Sequence, residues 1–253
     1  MKIRSFGIVL VSLFVSHMAF AACDGVDKLR GFLTPQQVHQ MYESCAKLSN
    51  DDDSQVILAR RYALGTDGVK KDLQQALYYY QLSADNGNAE SQAQLAKLYM
   101  ELDRTPATRK LLSNYTKSIV APDYNSHGMN KRQFPEQRFK GELVHPYTLL
   151  LLASERAENK WYYPSKVRQA PGYVNSLLQS YPIDDAKKQK LMAEASAWKK
   201  RKLLEAAFYV LSESEYETFK QTLYPTSGKA DQFQRNAALK AFRKRYDDYH
   251  KGQ

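Results

Sequence analysis

Between Gln55 and Leu102 the apolar positions recur at the three- and four-residue steps of helices, and glycines punctuate them. In QVILARRYAL (55–64), Ile57, Leu58, Tyr62 and Leu64 keep that spacing. Gly65 and Gly68 then break it in a turn where glycine readily takes positive φ. Asp72 stands as the cap of a second helix, LQQALYYYQLSADN, whose Leu73, Ala76, Leu77, Tyr80 and Ala84 share a face. Gly87 closes it as the residue after a helix C-cap does, and AESQAQLAKLYMEL (89–102) reads as a third helix.

The same reading extends outward. Residues 22–50 predict two short helices around TPQQ, with Thr34 as cap and Pro35 at the first helical position. SNDDDS (49–54) is a turn and a helix start. Thr105 and Pro106 open a short helix in DRTPATRKLLSNY, after which residues 117–141 lose periodicity and read as a long loop. VHPYTLLLLASERAENK resumes a helix that is apolar on nearly every side around Leu149 to Ala153, which places it centrally in the C-terminal half. WYYPSKVRQAPGYV interrupts it. Three further helices are expected over 184–211, 213–223 and 230–249. Leu191, Ala195, Trp198, Leu203, Ala206 and Val210 stripe the first of these, and Ala238, Phe242, Tyr246 and Tyr249 the last.

The first and third helices of the central stretch repeat. Leu58-Ala59-x-x-Tyr62 returns as Leu95-Ala96-x-x-Tyr99, an offset of 37 residues, the scale at which helix pairs stack into solenoids. The residues Leu58, Ala59, Tyr62, Gly65, Gly68, Asp72, Ala76, Tyr79, Tyr80, Ala84 and Gly87 follow the pattern of the Sel1-like repeat, a relative of the tetratricopeptide repeat. The segment resembles that family over residues 54–103. It departs at Ala59 for glycine, Tyr79 for tryptophan, Ser83 for alanine and one extra residue before Gly68. The resemblance implies an all-α, helix-turn-helix solenoid with a C-terminal helical extension, its small residues letting helices approach and Tyr62, Tyr79 and Tyr80 filling the seam. It also implies a non-catalytic adaptor or regulatory role, by analogy of fold. The expected organisation is 1–21, leader; 22–53, N-terminal helical segment; 54–115, repeats; 116–142, irregular insert; 143–253, a C-terminal helical region of degenerate repeats or a distinct cap.

The leader reading rests on MKIRSFGIVLVSLFVSHMAFAAC. Lys2 and Arg4 precede an apolar run, and Ala19-Phe20-Ala21 offers a small-x-small cleavage pattern. Export to a periplasm is expected, with residue 22 as the new terminus. Phe20-Ala21-Ala22-Cys23 approaches a lipidation signal, but phenylalanine stands where leucine is usual. With only Cys23 and Cys45 in the chain, an even count in an oxidising compartment favours a disulfide between them over a lipid anchor at Cys23.

Charge adds an asymmetry. The formal net charge is +10: residues 22–114 hold 11 basic and 12 acidic side chains, whereas 187–253 hold 15 and 8. For an exported protein this suggests an acidic protein partner or an anionic envelope surface, or a plain solvated face, and argues against nucleic acid. The expected partner is another envelope protein. Its candidate surface is the irregular insert with the aromatic cluster Trp161, Tyr162, Tyr163 and Tyr173 beside it, and Arg243 and Lys244 on the terminal helix come second.

Chemistry has thin support. His39, His127, His145 and His250 lack a second ligand at helical spacing, so neither metal nor other cofactor is expected. Ser44 to Lys47 and Ser196 to Lys199 match S-x-x-K without the accompanying motifs. Glu142, Glu155 and Glu158 are the carboxylates a sugar hydrolase would draw on. No catalytic residue is assigned. An immunity protein neutralising a toxin in the same compartment, and a cell-wall enzyme or enzyme subunit, are the alternatives to the adaptor.

Overall fold

The structure, a computed structural model, describes residues 23–29, 31–48, 51–118, 144–155 and 172–251. The leader segment, most of the irregular insert, and Trp161, Tyr162 and Tyr163 lie outside the described residues. Among the described residues the protein is all-α and holds no strand. After a 3₁₀ turn at Cys23–Gly25 come α1 (Val26–Leu29), α2 (Pro35–Leu48), α3 (Asp52–Leu64), α4 (Leu73–Asp85), α5 (Ala89–Leu102) and α6 (Pro106–Ser118). The second half holds α7 (Pro146–Ser154), α8 (Tyr173–Ser180), α9 (Asp185–Val210), α10 (Glu213–Leu223) and α11 (Gln232–Lys251).

Helix ends follow from side-chain chemistry. Thr34 and Gln37 cap α2 reciprocally, Thr34 N–H donating to Gln37 Oε1 at 2.9 Å and Gln37 N–H to Thr34 Oγ1 at 3.3 Å. Asp51, Asp72 and Asn88 cap α3, α4 and α5 by accepting from backbone N–H groups. At the end of α4, Gly87 N–H donates to Ala84 C=O and Asn88 N–H to Ser83 C=O, the paired bonds of a Schellman motif, with Gly87 at φ 91°. The disulfide joins Cys23 of the opening turn to Cys45 of α2.

The packing order is α2 on α3, α3 on α4, α4 on α5, and α5 on α7. Sequence offsets explain it. Tyr42, Cys45 and Ala46 of α2 stand 38 residues before Tyr80, Ser83 and Ala84 of α4, and all six are buried. Tyr79, Tyr80 and Ser83 correspond to Leu149, Leu150 and Ala153 of α7 at an offset of 70, which exceeds the 37-residue period by 33. Helix α2 thus takes the second-helix place of an upstream unit. The second unit is α5 with α7, interrupted by an insertion that contains α6. Across residue 143, Leu149, Leu150 and Ala153 of α7 are buried in the same core as Leu95, Ala96 and Tyr99 of α5.

Helix α7 also turns Leu152 into a second core built from α9, α10 and α11, where Trp198, Leu204, Phe219, Phe242 and Tyr246 meet. Four consecutive leucines serve two cores, which is why the run lacks a polar face. Helix α8, which the sequence reading passed over, lies on α7 and buries Val174.

Candidate interaction surface

The repeat's signature residues sit mainly in packing. Leu58, Ala59, Ala76, Tyr79, Tyr80, Ala84, Leu95, Ala96 and Tyr99 are buried. Tyr62 is half-buried and stacks on Tyr79 at 5.8 Å between centroids, the planes 4° apart. Gly65 and Gly68 have φ of 73° and 76°, and Asp72 accepts from Gln74 and Gln75 N–H. Burial first, then the Glu43 carboxylate, holds the Tyr79 hydroxyl well above the ordinary phenol range; burial pushes Tyr80 up to about 12.

Between α2 and α3 the Tyr62 hydroxyl lies 3.3 Å from His39 Nε2 and 3.5 Å from Glu43 Oε1. Desolvation lowers the His39 pKa and raises that of Tyr62, which Glu43 raises further. Those directions keep the imidazole neutral and the phenol protonated. The group is a hydrogen-bonded clasp between helices, not an activated nucleophile.

Several polar residues that the pattern reading missed repeat with the same period. Ser54 and Ser91 donate their N–H groups to the caps Asp51 and Asn88, at 2.8 and 3.1 Å. The fully buried amides Gln55 and Gln92 donate to Ala46 and Ala84 carbonyls, at 3.3 and 3.2 Å, each on the preceding helix. The Ser-Gln pair at an offset of 37 was the available signal. Asn88 also donates to Asp52 Oδ2 at 2.9 Å, while burial raises the Asp52 pKa to about 6. Between the two halves, Lys202 Nζ of α9 lies 3.1 Å from Asp85 Oδ2 at the end of α4 and 3.4 Å from Glu205 Oε2, all three buried. No sequence signal marks Lys202 among the cations around it.

The residues with enzyme-like spacing have ordinary partners. Ser44 and Ser196 hydroxyls donate to carbonyls of their own helices. Lys199 pairs with Glu155 at 3.2 Å, and His145 Nδ1 accepts from Tyr147 N–H as a helix cap. Among the described residues no group of three or more His, Cys, Asp or Glu is placed to hold a metal ion. Glu142, Glu158 and His127 lie outside the described residues.

What remains for a partner is outward-facing. Tyr173 is no part of that face: it is half-buried against the repeat core, and its hydroxyl is buried with no hydrogen bond among the described residues. Arg243 and Lys244 are exposed on α11, far in sequence from Tyr173. Phe32, Leu64 and Phe233 are the most exposed large apolar side chains described, at 86%, 69% and 83%. On the C-terminal bundle, Lys200 and Arg235 lie over the Tyr224 ring at 4.4 and 5.9 Å.

No curated protein and no solved structure matches the chain. The family model described as Sel1 repeat matches residues 52–88, from the first residue of α3 to the cap of α5. Those limits enclose the helix pair α3–α4, its glycine turn and its Schellman end, so this segment of the chain is a Sel1 repeat.

Proposed function

We propose that the protein is a non-catalytic interaction module of a bacterial envelope, exported by its N-terminal leader and bound there to another protein. The observation that carries this reading is the Sel1 repeat at residues 52–88, a scaffold whose family generally mediates protein–protein interaction. Its signature side chains are mostly consumed in packing, so partner recognition falls to the outward faces. The oxidised Cys23–Cys45 pair suits an oxidising compartment.

The test is capture from an envelope fraction, followed by reconstitution with the purified candidate. A stoichiometric complex supports the module, and the partner's identity separates an adaptor from an immunity protein. Capture of cell-wall fragments without any protein would sink the reading in favour of a wall-directed enzyme. N-terminal sequencing of the exported form checks the leader: Ala22 is the expected first residue.

A further inference from the structure

Helix α11 has an outward stripe that neither core uses. Its inner face is spent: Phe242 and Tyr246 are buried, and Ala238 and Leu239 pack behind them. Arg235 lies over Tyr224, and Arg245 is paired with Glu215. Opposite stand Phe233 and, seven, ten and eleven residues on, Lys240, Arg243 and Lys244, all exposed. Steps of seven and eleven return to nearly one line on a helix, about 16 Å long here.

Residues 232–246 contain five cations and no carboxylate. Lys240, Arg243 and Lys244 make no ion pair among the described residues; the carboxylates of α10 lie on another helix, and Asp247 and Asp248 stand one turn beyond Arg243 and Lys244 on the same side of α11, where they bound the cationic stretch. The repeat half carries no such excess: residues 22–114 hold 11 basic and 12 acidic side chains.

We infer that this stripe docks on an anionic phospholipid surface, with Lys240, Arg243 and Lys244 over the headgroups and Phe233 entering the headgroup–acyl boundary. Charge complementarity selects an anionic ligand. The arrangement selects a surface over a protein, because Phe233 projects 83% exposed from a helix. A protein partner would need a matching pocket for it, whereas a bilayer accepts a projecting ring anywhere. Lysines are depleted in protein interfaces, yet each adds independently to attraction by anionic lipid. No described helix is long and apolar enough to cross a membrane, so the docking is peripheral. It does not depend on the protein-partner role proposed above.

The experiment is co-sedimentation of the purified protein with vesicles of phosphatidylglycerol and phosphatidylcholine, against phosphatidylcholine alone. Binding to the anionic vesicles only, weakening at high salt, is expected. The K240E/K244E variant loses about tenfold or more in vesicle affinity, F233S loses several-fold, and K187E/K188E, with the same change of net charge on α9, stays close to the parent. Circular dichroism checks that each exposed-site variant keeps its helices. Absence of binding to anionic vesicles overturns the inference, including a result in which the protein binds nucleic acid or an acidic protein instead. So does equal loss in K187E/K188E, which would make the effect one of overall charge.

Discussion

Gly65 and Gly68 have nearly the same φ, 73° and 76°, but different surroundings. A Cβ on Gly65 would stand 3.1 Å from the Lys71 backbone nitrogen, whereas one on Gly68 meets only Pro35 Cβ at 3.8 Å. Gly68→Ala should therefore cost about 1 kcal/mol of backbone strain, and Gly65→Ala roughly 1–3 kcal/mol. Denaturant titration of the two variants checks the difference; equal costs would mean that the approach to Lys71 contributes nothing. Asp52 offers a second test. Its folded pKa of about 6 exceeds the ordinary 3.8, so the folded state binds the proton more tightly. The stabilisation from that proton is complete below the ordinary value and is lost as pH rises through 6. Compared at each pH, Asp52→Asn should gain on the parent by roughly 1–3 kcal/mol between pH 4 and 7. A constant gap would show that Asp52 titrates normally. At this scale Leu58, Ala59 and Tyr62 were legible because apolar period and small size leave a mark in the sequence. Gln55 and Gln92 were not, since polar residues on a helix read as solvated unless their own repetition is noticed.

Among the elements, α2 and α7 were legible as helices but not as members of the stack. The identities that mark α2, Tyr42 and Ala46, fall 38 residues before their counterparts in α4, and its first-helix companion is absent from the described chain. In α7 leucines replace the tyrosines, and the insertion shifts the register. The disulfide fastens α2 to the opening turn. Removing it in a Cys23→Ala, Cys45→Ala variant should cost about 3 kcal/mol, read as a lower denaturation midpoint that reductant no longer changes. The Lys202 cluster joins α9 to α4. Lys202→Met leaves Asp85 and Glu205 buried without their shared cation and should cost about 3–5 kcal/mol. The triple variant Asp85→Leu, Lys202→Met, Glu205→Leu should recover much of that loss. Failure to recover would mean that the apolar replacements do not fit the space.

For the whole molecule, α7 is the shared wall. Leu150 faces the repeat core and Leu152 the C-terminal core. Leu150→Ala and Leu152→Ala should each cost about 2–5 kcal/mol. Amide exchange then distinguishes them, with Leu152→Ala lowering protection first in α10 and α11 and Leu150→Ala first in α5. Loss in all helices together for both variants would show that the halves unfold as one unit. The all-α architecture was legible from periodicity and the solenoid from one repeated pentapeptide. The joining of the halves was not, because it depends on a buried lysine and a helix whose two sides look alike.

The interrupted second unit has a consequence for the order in which the protein forms. Helix α5 is complete at Leu102, but α7, which packs on it and closes one face of it, begins only at Pro146. At roughly 5–20 residues per second, a growing chain leaves that face open for several seconds while the intervening segment is made. Through that interval the nascent protein is a client for whatever holds unfolded chains. In a translation system without export machinery, a chain halted after Ser118 should therefore remain bound to a holding chaperone, whereas one halted well past Ser154 should release.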